Sequence, residues 1–142
     1  MGIDVYVQDM ENRVALPHWQ AARAKAYQTH VTAISEDHVG LTLRSGDEVE
    51  LFDQGRHPGC MVSIPGAITP AICDFLFDLM DLSELFIMPA SAEPRALRSR
   101  NNPRPPFPEP SLKELEIENG AGLFAFLTQG ANSVAAAQTL EK

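Results

Sequence analysis

Apolar and polar positions alternate from Ile3 to Val7, the period of a strand with one buried face. Residues 9–16 read as a turn and a short apolar stretch. The Ala-rich segment Pro17 to Lys25, opened by a proline, predicts a short helix. The clearest β pattern follows. Tyr27 to Ser35 is rich in β-branched residues, Val39 to Arg44 alternates with Val39, Leu41 and Leu43 on one face, and Glu48 to Phe52 alternates with Val49 and Leu51 facing in. Glu36-Asp37-His38 and Ser45-Gly46-Asp47 supply the turns, so the pattern predicts an antiparallel meander over 27–53. Gln54 to Gly59 reads as a loop and Cys60 to Ile64 as a fourth strand.

The period then becomes helical. Thr69 caps and Pro70 opens a helix over 70–82 that is apolar at Ile72, Cys73, Phe75, Leu76, Phe77, Leu79, Met80 and Leu82. Asp74, Asp78 and Asp81 break that pattern at spacings of four and three, which places them on one stripe of a buried helix. Glu84 to Met88 reads as a strand ended by Pro89. Residues 89–110 hold seven prolines in twenty-two residues, which predicts an extended loop, longer than ordinary connections. Leu112 to Ile117 alternates as a last strand, in competition with a short helix opened at Pro110-Ser111. Gly120-Ala121-Gly122 breaks the chain. Leu123 to Gln129 and Ser133 to Leu140 then read as two short helices split by Gly130, with Asn132-Ser133 as cap. The expected fold is α+β, with an antiparallel sheet of about five strands packed by the buried helix 70–82 and short C-terminal helices. The chain, 142 residues without an internal repeat, is expected to form one domain over 1–142, with the loop at 89–110 extending from it.

Charge changes this picture. Eleven Lys and Arg against nineteen Asp and Glu give a net charge of −8. That excess argues against a nucleic-acid partner, which needs a basic face, and suits attraction to a basic protein. The distribution is uneven. Arg95, Arg98, Arg100 and Arg104 fall within ten residues that contain no acid, which leaves the rest of the chain with seven basic against nineteen acidic residues. Planar, bidentate recognition favours arginine, so this segment is a candidate for gripping a protein partner or an anion. The competing use of the same arginines is pairing with the acidic body. The stripe of Asp74, Asp78 and Asp81 has three readings: a solvated edge, a docking surface for arginine, or a divalent-cation site.

Catalytic chemistry is expected to be absent. His57 and Cys60 with Asp53 invite a Cys/His nucleophile reading, but Gly66 stands where a phosphate-binding cysteine loop would have its arginine. Ser63 lacks flanking glycines, so a nucleophile elbow is excluded. His18, His30, His38 and His57 show no zinc-ligand spacing, and there is no Cys-x-x-Cys, so no metal is expected. Gly120-Ala121-Gly122 lacks the remaining residues of a phosphate loop, so no cofactor is expected either. Cys60 and Cys73 have apolar neighbours and read as buried free thiols. No apolar run reaches the ~20 residues of a membrane span, no secretory signal opens the sequence, and a cytoplasmic location is expected.

Two functions fit. The first is a non-catalytic binding protein of inhibitor or immunity type that captures another protein through charge complementarity. The alternative is a small α+β ligand binder or enzyme. Its apolar pocket, lined by Phe75, Phe77, Phe86 or Met88, would be gated by 89–110, with Arg98 or Arg100 anchoring an anionic ligand. Homodimerisation through the C-terminal helix, where Ala135 to Ala137 allow close packing, is compatible with both.

Overall fold

The computed structural model describes residues 3–9, 13–53, 55–90, 95–103 and 113–129. The elements run β1 (Ile3–Gln8), α1 (Leu16–His30), β2 (Val31–Ile34), β3 (Gly40–Leu43), β4 (Glu48–Asp53), β5 (Gly59–Ile64), α2 (Pro70–Ser83), β6 (Phe86–Pro89), β7 (Arg95–Ser99), β8 (Lys113–Ile117) and α3 (Gly120–Gln129). The eight strands form one sheet in the order β2-β3-β4-β5-β1-β6-β7-β8. Every neighbouring pair is antiparallel except β7 and β8.

The topology dictates which face is covered. β1 and β2 run the same way, and the connection between them, through α1, moves towards one edge. β5 and β6 run the opposite way, and their connection, through α2, moves towards the other edge. Reversing both direction and travel leaves handedness unchanged, so two right-handed crossovers put both helices on the same face. α2 packs between α1 and α3 there. One core joins Val5, Val7, Leu41, Leu51, Val62 and Ile87 of the strands to Trp19, Ile72, Phe75, Leu76, Leu79 and Leu123 of the helices.

Local chemistry fixes the joints. The Asp9 carboxylate accepts from the backbone N–H groups of Arg13 and Val14, at 3.0 and 2.8 Å, and so closes the β1–α1 connection. Thr69 Oγ1 accepts from Ile72 N at 3.2 Å and Pro70 starts α2, as the sequence predicts. Arg44 donates from Nε to the Thr29 carbonyl and from Nη2 to the Gln28 carbonyl, a cation at the negative end of α1.

The α+β class and the hairpins from β2 to β4 agree with the sequence pattern. The sheet does not, because it has eight strands and is mixed rather than five and antiparallel. Residues 27–30 are helical, not the start of the meander. Tyr27 and His30, one helical turn apart, both pack against the Phe75 ring of α2, and this tertiary contact overrides their β propensity. β7 lies inside the segment expected to be an extended loop. Arg95–Ser99 falls between Pro94 and Pro103, long enough for a strand without a missing donor. Gly120 and Gly122 begin α3 instead of breaking the chain. Residues 91–94 and 104–110 of the Pro-rich segment and the expected helix Ser133–Leu140 lie outside the described residues.

Candidate functional site

Of the four arginines predicted to grip a ligand, Arg98 is buried and Arg100 is exposed. Arg98 of β7 has a side chain only 7% exposed. It donates from Nη1 to Glu114 Oε1 at 2.9 Å and from Nη2 to the Asn102 carbonyl at 3.2 Å, and its guanidinium lies 5.4 Å from the Phe86 ring centroid. Arg100 is exposed but forms an ion pair with Glu118. Arg95 contributes its backbone to β7, and Arg104 lies outside the described residues. The pairing of these arginines with the acidic body is therefore visible at Arg98 and Arg100.

The aspartate stripe of α2 is spread over three neighbours. Asp78 Oδ2 lies 2.7 Å from His30 Nε2 at the end of α1. Asp81 accepts from the Ser99 hydroxyl and, at 3.3 Å, from Asn101 Nδ2, tying α2 to the end of β7. Asp74 lies against the first turn of α3: a Cβ on Gly120 would come within 2.9 Å of Asp74 Cα. Asp78 and Asp81 thus tie α2 to α1 and β7, while Asp74 sits close against Gly120 of α3. Among the described residues, no group of three His, Cys, Asp or Glu is arranged to hold a metal ion.

The Cys60, His57 and Asp53 constellation does not assemble a nucleophile. Cys60 is buried, and desolvation raises its thiol far above its ordinary range, the reverse of what a reactive thiolate needs. His57 is exposed. Asp53 Oδ2 accepts from the indole Nε1 of the fully buried Trp19 at 3.1 Å and pairs with Arg23, so its carboxylate is occupied in anchoring α1 to β4. Phe75, proposed as a pocket wall, is fully buried in the core between α1 and α2.

Burial also raises Cys73 and Tyr27, each to about 12, from ordinary values of 9.0 and 10.0. Between those limits the unfolded chain releases protons that the folded chain keeps. The stability that these two groups contribute is therefore fully present below pH 9 and falls as pH rises towards 12. Melting temperatures measured from pH 7 to pH 11 are expected to hold level and then fall. In Tyr27→Phe the fall above pH 10 should be shallower, and an unchanged slope there would contradict the burial of this phenol.

The face opposite the helices offers a different site, one the sequence does not single out. Register places Phe52 opposite Met61, Met61 opposite Tyr6, and Tyr6 opposite Met88. These four side chains form an apolar row across β4, β5, β1 and β6, each beside the next at about 5 Å between Cβ atoms. Phe52 is 41% exposed, and Tyr6, Met61 and Met88 are half-buried. The adjacent row on the same face is polar: Glu50 pairs with Ser63, and Ser63 with Asp4. Glu48, next but one to Glu50 on β4, adds a further exposed carboxylate. The face thus carries an aromatic and methionine strip beside carboxylates that form no ion pair among the described residues.

Comparison of the chain with protein families, with curated proteins and with solved structures returns no match. Among the described residues, no helix is long and apolar enough to cross a membrane.

Proposed function

We propose that this chain is a non-catalytic binding protein that captures a basic protein partner on the open face of its sheet. The observation that carries this reading is the apolar row Phe52–Met61–Tyr6–Met88 beside Asp4, Glu48 and Glu50, on the face that α1, α2 and α3 leave uncovered. The row supplies a desolvated centre, and the carboxylates supply steering and specificity, an arrangement known to speed encounter with a partner of opposite charge. The net charge of −8 extends that attraction beyond the contact itself. Buried free Cys60 and Cys73 suit a reducing compartment such as the cytoplasm.

Affinity capture from the host lysate at low and high salt, with the bound proteins identified, tests the reading. A stoichiometric, basic partner released by salt is expected. Glu48→Lys combined with Glu50→Lys should weaken its capture at least tenfold, and Phe52→Ser should do the same, both with melting temperatures close to the parent's. Retention of the partner by both variants, or absence of any partner at low salt, would sink the proposal.

A further inference from the structure

The edge strand β2 points to a second binding surface, independent of the open face. β2 pairs with β3 alone among the described strands; Val31 N already donates to the Tyr27 carbonyl, and no described strand pairs with the rest of its outer edge. Natural edges are normally blunted by lysine, proline or inward charge. Val31-Thr32-Ala33-Ile34 carries none of these. The one protective device is a bulge between Val31 and Ala33, and it has a second effect. Val31 pairs with Leu43 and Ile34 with Leu41, two residues whose side chains face the helices, so both apolar ends of β2 turn to the helix side. There they border a groove of about 390 Å³ between β2 and α1, lined by Ala24, Tyr27 and Gln28 as well. Ile34 is 47% exposed.

The flanking charges identify the occupant. At the start of β2, the exposed Arg44 is held against the carbonyls of Gln28 and Thr29. At its end stand the exposed acids Glu36 and Asp37. A strand with a cation at one end and acids at the other is complementary to itself when reversed. We infer that β2 pairs antiparallel with β2 of a second copy of this chain, making one continuous sheet through a two-fold axis at Thr32 and Ala33. Val31 of each copy then lies opposite Ile34 of the other, and both helix layers fall on the same side. The two grooves merge into one apolar seam, and Arg44 of each copy meets Glu36 and Asp37 of the other. This contact does not use the row Phe52–Met61–Tyr6–Met88, so a partner can still bind there. A four-residue edge with one shallow seam buries less than the ~1,600 Å² of a standard interface, so the dimer is expected to dissociate at micromolar concentration.

Sedimentation or light-scattering mass of the full chain, measured from micromolar to millimolar concentration, tests this. A monomer–dimer equilibrium is expected, with the mass doubling across that range. Ile34→Glu, at an already exposed position, should shift the midpoint at least tenfold upwards while the melting temperature of the dilute protein is unchanged. Glu36→Arg should act in the same direction by setting arginine against Arg44. A monomer throughout the range would overturn the inference. A dimer that neither substitution weakens would overturn it too, because the copies would then meet elsewhere. Neither result touches the capture experiment, which reads the opposite region of the sheet.

Discussion

Gly59→Ala is expected to destabilise the fold by about 2–4 kcal/mol, combining backbone strain with a steric clash at the sheet centre. Gly59 opens β5 opposite Gln8 of β1, with φ of 115°, a conformation that side chains rarely tolerate. A Cβ there would overlap the Val7 carbonyl oxygen and come within 3.5 Å of Gln8 Cα. Neither can withdraw, because β1 is hydrogen-bonded on both sides, to β5 and to β6. For a chain of this size such a loss lowers the melting temperature by on the order of 10 °C. Gly46 supplies the control, since its φ is also positive, at 94°, but a Cβ there would meet nothing within 4 Å. Gly46→Ala should therefore cost only about 1 kcal/mol from backbone strain. Denaturant titration of the two variants separates strain from overlap. Equal losses would show that the close approach of β1 to Gly59 contributes nothing.

Asp53→Ala should cost about 2–4 kcal/mol, because it leaves a buried indole N–H without its acceptor and removes the carboxylate facing Arg23. Trp19 is fully buried and α1 has no side-chain cap, so the Trp19–Asp53 hydrogen bond and the Arg23–Asp53 ion pair are the polar ties of α1 to β4. Asp53 Oδ1 also accepts from Gly55 N at 2.6 Å, which shapes the turn after β4. Asp53→Asn keeps an acceptor for the indole and loses only the charge, so its cost should fall to about 1 kcal/mol. Unfolding monitored by fluorescence of Trp19, the single tryptophan, reads both variants directly. A loss for alanine no larger than for asparagine would show that the indole hydrogen bond contributes nothing to stability.

The elements that the sequence makes legible are those whose pattern is local. α2 is one, because Thr69, Pro70 and eight apolar positions agree on its start and its buried character. The strands β3 and β4 are others, since alternation and the Ser45-Gly46-Asp47 turn specify them without help from the rest of the chain. The C-terminal end of α1 and the existence of β7 were not legible in this way. Tyr27 to His30 carry β propensity, and they are helical because Phe75, far along the chain, gives them a surface to pack on. Arg95–Ser99 is surrounded by prolines, and it becomes a strand because β6 and β8 offer it partners.

The candidate site divides in the same manner. Sequence by itself determined the acidic excess, the mixed helix and strand composition, and the absence of a nucleophile or metal motif, since composition and spacing carry those directly. It also drew attention to Arg98, Arg100, Asp74, Asp78 and Asp81, because runs of one charge stand out in a linear string. Only the tertiary structure decided what those charges meet. Arg98 and Arg100 pair with Glu114 and Glu118, Asp78 and Asp81 tie α2 to α1 and β7, and Asp74 lies against Gly120 of α3. The apolar row of the open face was invisible for the opposite reason. Tyr6, Phe52, Met61 and Met88 come from four strands, each supplies one residue, and strand register alone brings them side by side. A surface is a property of pairing across strands, and pairing is non-local, so no window of the sequence contains it.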